Sequence, residues 1–524
     1  MILDIIIEDG EVFDGLDSCS KKIDVGIKNG KIAYLGTDSI TNSTSIRVDA
    51  SGMLVCPGFI DSHASDGFSY LRDSAADHKL RQGITTELFG NCGYSPAPIY
   101  QGNRQEFEDF GAKVGFTQNW ASFSDYFHII EDRGLPINVA SLVGHNTLRS
   151  GIAPDALDVV TDIEIAQMEQ AIDQAMTEGA MGLSTGLIYT PGCFANIDEI
   201  LRLARIVVRK GGFYASHIRN ERDELGAAVD EALDIGQEAK IRVLISHLKA
   251  AERSNWGKIS AVIEKITAYR EAAIEPAAFD VYPYTAVSTK LRAFLPQDIL
   301  SDGISKLSNR LAQPYWRERC VRYLESRKIE FSHMIPIGHI EGTRYPHNIQ
   351  CLADQEGGDP IKQTLNLIAE NPDIWIVYEC LSPSDLDNAV LCAYSMICSD
   401  SWSYPVNAAT HIGDPHPRTY GAFSRFLTTY AMRTGAPLEF GEAVRKLTSI
   451  PAQFLGIEKR GQLRIGYWAD VVIINPVRFR DKATYSQPRL MADGIEYLII
   501  NGELTIFDNE IINRRCGRVL RYGN

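Results

Sequence analysis

The chain has 524 residues, of which 45% are hydrophobic and 23% charged, and a formal net charge of −15. This is too long for one ordinary core and too average for a disordered, collagen-like or short disulfide-stapled chain. The acidic balance argues against nucleic acid or an anionic membrane surface as the main partner.

The N-terminus, Met1 to Gly10, lacks a basic region and places Asp4 inside its only apolar stretch. It therefore reads as a strand rather than a signal peptide. No apolar run approaches the roughly 20 residues of a membrane-spanning helix. The ten cysteines are scattered singly with no CxxC pair, as expected of reduced, mostly buried thiols. Cytoplasmic residence is the resulting expectation, with a small molecule as partner and no sequence signal for the oligomeric state.

From Asp4 to Val55 short β-rich runs alternate with turn residues, and Asn29-Gly30 is a strong hairpin signal. The same texture returns at Val471–Ile474, Tyr497–Ile500, Asn501-Gly502 and Leu504–Phe507. One small β-domain built from both chain ends, residues 1–56 and 451–524, accounts for both.

Between them, residues 57–450 alternate strand-like runs with helical patterns. The runs include Thr85–Phe89, Val139–Val143, Gly182–Thr185, Gly212–Ala215, Arg242–Ile245, Phe279–Tyr282, Met334–Ile337 and Ile374–Tyr378. Helical patterns cover Asp162–Glu178, Asp198–Arg209 and Glu221–Ala239. This spacing predicts a parallel α/β barrel of the (β/α)8 type. The stretch at about 289–345 is too long for a standard βα loop and reads as an inserted lid.

Five side chains stand at or just beyond the ends of apolar runs: His63, Cys92, His217, His247 and Asp400. Strands that carry ligands at their C-terminal ends bring distant residues to one barrel mouth. His217 and His247 share one grammar, a short apolar run, then Ser, then His. Gly90 and Gly93 flank Cys92 and let its backbone approach an ion. A thiolate with two imidazoles is a common zinc donor set with the fourth position open. Asp400 is placed to take a proton from an attacking water and return it to a leaving amine. His145 ends another strand-like run and is a candidate for supporting a ligand or binding substrate. His339, His411 and His416 each lie in a loop able to face the mouth.

These segments resemble the amidohydrolase superfamily, and within it the D-aminoacylase (N-acyl-D-amino-acid deacylase) family, nearly end to end. The similar stretches include Pro57–His63, Asn91-Cys92-Gly93, Gly144–Arg149, Gly182–Tyr189, Ser216–Glu221, Ile245–Lys249, Asp280–Tyr284, Ser399-Asp400, His416-Pro417-Arg418 and Gly466–Asp470. The resemblance implies a distorted TIM barrel, a small β-domain made from both termini and an inserted segment over the mouth. It implies one tightly held zinc ion on Cys92, His217 and His247, with His63 contributing to a second, weaker position, and Asp400 as general acid/base. It also implies Arg418 as clamp for a substrate carboxylate and Tyr189, Tyr282 and Ser288 as substrate contacts. The family's usual His-x-His is here His63-Ala64-Ser65, and a hydroxyl is a poor zinc ligand. The interval from Asp400 to Arg418 is also longer than the family's.

The activity expected is zinc-dependent hydrolysis of a linear amide, deacylation of an N-acyl-D-amino acid or related small N-acyl carboxylate. A second reading keeps barrel and zinc but acts on a peptide-like or cyclic amide or an ester, or transfers an acyl group in biosynthesis. A third makes the chain a non-catalytic scaffold, against which the retained Cys92, His217, His247 and Asp400 speak.

Overall fold

A computed structural model describes residues 2–38, 46–65, 67–71, 76–154, 159–300, 303–337, 347–402 and 415–522. Eight parallel strands form the barrel: Phe59–Asp61, Ile84–Phe89, Asn138–Ser141, Gly182–Gly186, Phe213–His217, Val243–Ile245, Ala277–Val281 and Ser395–Ile397. Neighbours pair in parallel through two sheets, strands one to three and four to eight. Met181 N donates to Ser141 O at 2.8 Å and joins the two sheets. A parallel bridge between Ala64 and Ser401 closes the ring.

Side chains alternate across a strand, so every second residue points inward. Ile60, Leu88, Ala140, Phe213, Ala215, Leu244, Ala278 and Met396 form one apolar cluster, packed against Phe454 and Leu455. The inward register of Phe213 and Ala215 continues to His217, that of Ala278 to Asp280, and that of Met396 to Cys398 and Asp400. Apolar contacts thus fill one end of the barrel while ionisable groups gather at the other.

Helices follow the strands as the periodicity predicts, among them Asp162–Thr177, Ile197–Arg209 and Leu225–Ala239. Asp162–Thr177 buries Ile165, Met168, Ile172, Ala175 and Met176, one helical stripe. Its start is a reciprocal capping box: Thr161 Oγ1 accepts from Glu164 N, and Glu164 Oε2 accepts from Thr161 N at 2.7 Å.

The two chain ends share a sheet. Val471–Ile474 pairs antiparallel with both Leu54–Pro57 and Ile495–Ile500. Beside it lies a four-stranded sheet in which Ile5–Glu8 is flanked by Asp24–Lys28 and Ile46–Asp49. Ile5, Val25, Val55, Val471 and Ile499 belong to one core. Asn29 and Gly30 both have positive φ, 50° and 75°, as a two-residue type I′ hairpin requires.

Two expected barrel strands lie elsewhere. Met334–Ile337 and Trp375–Glu379 pair antiparallel with each other, and the latter with Ala286–Lys290, in a separate three-stranded sheet. Apolar runs of four or five residues have the same periodicity whether the pairing is parallel or not. The first and eighth barrel strands are instead Phe59–Asp61 and Ser395–Ile397, the runs that precede His63 and Asp400.

Among the described residues no helix is long and apolar enough to cross a membrane. All ten cysteines are free.

Candidate metal centre

Three of the five strand-end residues have left-handed backbones although none is glycine: Cys92 at φ 54°, His247 at 35° and Asp400 at 43°. Such conformations cost of order 1–3 kcal/mol each and concentrate at functional sites. Gly90 and Gly93, at φ 78° and 80°, complete the turn around Cys92. A Cβ on Gly93 would stand 2.4 Å from Asn146 Oδ1 and 2.7 Å from Gly186 N, so that turn is closed to larger residues. His247 N donates to Asp280 Oδ1 at 2.5 Å, and Asp400 N to His63 O at 2.9 Å.

These turns bring the side chains together. Cys92 Sγ lies 3.3 Å from His63 Nε2 and 3.4 Å from His247 Nε2. Asp400 Oδ1 is 3.6 Å from His63 Nε2. One donor atom from each of His63, Cys92, His247 and Asp400 falls within 4.8 Å of the others, and His217, Glu221 and His247 form a second such group. His247 belongs to both, and its ring meets that of His217 edge-on at 4.4 Å.

Electrostatics mark a place that calls for positive charge. Burial pushes the Cys92 thiol up, yet the imidazoles of His63 and His247 hold it well below its usual range. Burial pulls His63 down, yet Cys92 and Asp280 hold it well above. His247 is pulled down by burial and Lys249, but Asp400 and Cys92 raise it to about 9. A cation displaces protons from such a cluster.

His217 is buried, its Nε2 3.6 Å from Glu221 Oε1, and neither ring nitrogen makes a hydrogen bond of normal geometry among the described residues. Leaving such a group unsatisfied costs about 1–3 kcal/mol, which metal ligation removes. A cysteine thiolate with imidazoles selects a transition metal such as zinc over calcium or magnesium, which take all-oxygen sites. The residues present therefore fit an ion.

Asp400 is also held from outside the cluster. Arg418 Nη1 reaches its Oδ2 at 2.8 Å, and Ser65 Oγ donates to its Oδ1 at 3.4 Å. Burial pushes the carboxyl up, but Arg418, His247 and His63 bring it well below the carboxylate range. Arg418 begins the helix Arg418–Leu427 and stacks on Tyr282 at 4.5 Å. His416 stands just before that helix, its Nδ1 accepting from Arg418 N at 3.0 Å. Burial and Arg418 keep His416 well below its usual range, so the neutral ring can accept. His339 and His411 lie outside the described residues.

The remaining candidates separate. Tyr282 is buried with a hydroxyl that has no hydrogen-bond partner among the described residues. Tyr189 packs edge-on against His217 at 4.9 Å, and its hydroxyl is 3.4 Å from Thr289 Oγ1. Ser288 is half-buried on the same strand as Thr289, paired with Val377. His145 is drawn into a buried network instead, its Nε2 2.8 Å from Glu199, which also pairs with Arg149 at 2.5 Å. None of its hydrogen bonds among the described residues reaches the cluster.

Three members were not singled out from the sequence. Lys249 Nζ lies 2.6 Å from both His247 Nδ1 and Glu221 Oε1, and Glu221 Oε1 is 3.1 Å from His247 Nδ1. Asp280 Oδ2 is 3.5 Å from His63 Nδ1. Carboxylates behind ligating imidazoles fix ring orientation and tautomer. Glu221 stands four residues after His217 and Lys249 two after His247, both in irregular backbone beyond the strand ends, and no motif spacing marks either.

A sequence model of the Amidohydrolase family matches residues 409–506. D-aminoacylase of Alcaligenes xylosoxydans xylosoxydans is 32% identical over 99% of this chain and 97% of its own length. N-acyl-D-glutamate deacylase of the same organism is 33% identical over 99% and 96%. The crystal structure of N-acyl-D-glutamate deacylase from Bordetella bronchiseptica, with zinc and a phosphonate mimic of the tetrahedral intermediate, superposes with a TM-score of 0.82. It covers 99% of this chain and 100% of that one at 30% identity. With full-length relatives above 30% identity, the chain belongs to the D-aminoacylase family of amidohydrolases.

Proposed function

We propose that the protein is a zinc-dependent hydrolase that removes the acyl group from an N-acyl-D-amino acid. The observation that carries this reading is the convergence of His63, Cys92, His247 and Asp400 within 4.8 Å, with His217 edge-on to His247 and Arg418 bonded to Asp400. Cys92, His217 and His247 would hold the tight ion, and His63 faces a second position that Ser65 leaves short of a ligand. When bound, zinc supplies a Lewis acid and lowers the pKa of water to about 7.

The protein's own groups do the rest. Asp400 takes the proton of the attacking water on a carboxylate oxygen and delivers it to the leaving nitrogen. Arg418, already stacked on Tyr282, presents a planar fork to the substrate's α-carboxylate. Tyr189 covers His217 on the substrate side, and the Tyr282 hydroxyl is an unused donor beside Arg418. Glu221 and Asp280 hold His247 and His63 in orientation.

The test is metal quantification on the purified protein, joined to a screen of N-acyl-D, N-acyl-L and cyclic amides. Stoichiometric zinc with D-selective deacylation is the expected result. Absence of metal would leave only a scaffold, and preference for cyclic or L substrates would replace the substrate class.

A further inference from the structure

His217 and His247 are followed by two loops that are tied to each other in three places. Lys249 Nζ meets Glu221 Oε1 at 2.6 Å, and Ala251 N donates to Glu221 O at 2.8 Å. One step further along both loops, Arg222 Nε lies 3.0 Å from Glu252 Oε1. The inner pair orients a ring directly, since Lys249 and Glu221 both reach His247 Nδ1, at 2.6 and 3.1 Å.

A third charge reaches Glu252 from the inserted segment. Arg327, just beyond the helix Pro314–Glu325, donates through Nη2 to the same Oε1 that faces Arg222. Phe294, also from that segment, presents its ring to both guanidiniums, 4.8 Å from Arg222 and 5.1 Å from Arg327. The side chains of Glu252, Arg222 and Arg327 are only 6%, 18% and 12% exposed. Two guanidiniums at one oxygen repel each other where water is scarce, and the carboxylate and the negative ring face offset that repulsion. Glu252 holds its place at φ 72° and ψ 142°, a backbone conformation that side chains rarely adopt. Such a conformation persists only where the surroundings over-determine it. Here Glu252 N donates to Cys380 O at 3.1 Å, and Ala251 forms an antiparallel bridge with Leu381.

We propose that Glu252 is a positioning residue for the metal centre: clamped between Arg222 and Arg327, it fixes the two loops whose Glu221 and Lys249 orient His247, and it makes the docked inserted segment part of that fixation. The proposal rests on the metal-dependent reading above and adds to it a residue outside the ligand set. Loosening the clamp lets Glu221 move off the His247 ring, and a ligating imidazole that loses its partner holds an ion less tightly. Coupling between two sites is reciprocal, so the docked segment and the ion stabilise each other.

The experiment uses the full chain loaded with zinc and, in a second preparation, with cobalt(II). The variants are Glu252→Gln, Arg327→Met, the double variant of both, and Arg253→Met. Arg253 pairs with Glu330 at 2.9 Å across the same border and leaves the partners of Glu252 in place. The rate at which zinc passes to an excess of chelator is read only on molecules that hold zinc, so it does not depend on the folded fraction. Glu252→Gln and Arg327→Met are each expected to speed release by about tenfold or more, the scale of losing a partner of a ligating imidazole. They are also expected to alter the visible bands of the cobalt enzyme and to lower kcat on N-acetyl-D-leucine more than they raise KM. The double variant should release zinc about as fast as the faster single one, because residues of one unit are not additive. Arg253→Met should match the wild type. Wild-type release rates and cobalt bands in both single variants, the same changes in Arg253→Met, or a double effect equal to the product of the two overturns the clamp. A wild type that holds zinc but hydrolyses no N-acyl-D-amino acid removes the deacylase reading, while zinc release and the cobalt bands still decide the clamp. A wild type that holds neither metal overturns the metal centre and the clamp together.

Discussion

Arg418 Nη1 and Asp400 Oδ2 are 2.8 Å apart, both side chains at most 12% exposed. The guanidinium proposed to receive the substrate's α-carboxylate is thus bonded to the proposed general base. Arg418→Met should lower kcat/KM on N-acyl-D-amino acids by about 2–5 kcal/mol, roughly thirtyfold or more. On the corresponding N-acyl amines, which have no carboxylate, the loss should be much smaller. Parallel steady-state kinetics on the two series check this, and an equal loss on both would remove Arg418 from carboxylate recognition.

Asp400→Ala should keep zinc and lose turnover. Cys92, His217 and His247 remain to hold the ion, while general acid–base transfer is typically worth about 10²–10⁴ in rate. Metal analysis and kcat on the same preparation separate the two effects. A fully active variant would take Asp400 out of the mechanism.

Cys92→Ala removes the donor whose sulfur lies 3.3–3.4 Å from two imidazoles. It should abolish tight zinc and leave activity that excess zinc does not restore. Chelation of the wild type should inactivate it reversibly and lower its melting temperature, because an ion that binds only the folded state stabilises it. Chelation without effect on either quantity would contradict a metal centre built on Cys92.

Lys79 lies in the core beneath the site, 3.1 Å from Asp61 Oδ2 and in contact with Glu87. Asp61 in turn accepts from Ser399 N at 2.9 Å, next to Asp400. Lys79→Met strands two buried carboxylates and should cost about 3–5 kcal/mol of stability. Denaturant titration should show a lower midpoint, whereas an unchanged midpoint would make this network dispensable.

Much of this architecture could be read from the chain because strand ends leave a signature. An apolar run closing on Ser-His, as before His217 and His247, predicts a strand and a side chain at the barrel mouth, and the two rings lie edge-on there at 4.4 Å. Asn29-Gly30 and Asn501-Gly502 marked real hairpins, since only left-handed pairs fit those turns. The runs Met334–Ile337 and Ile374–Tyr378 read as barrel strands but lie in the antiparallel sheet, because periodicity reports burial, not partner or direction. Asp280, Glu221 and Lys249 were missed because a supporting carboxylate or ammonium has no spacing rule of its own. Their roles follow only from which ring each one meets in three dimensions.

The ring of strands closes where the chemistry sits: Asp400 N bonds to His63 O, and Ala64 bridges Ser401. The two edges of that seam are more than three hundred residues apart in the chain. The imidazoles of His63, His217 and His247 all precede Asp400 in the chain, so the residue contributed by the last strand is the one that completes the cluster. A chain ending before that strand would carry three of the ring's side chains and neither the carboxylate nor the closed seam.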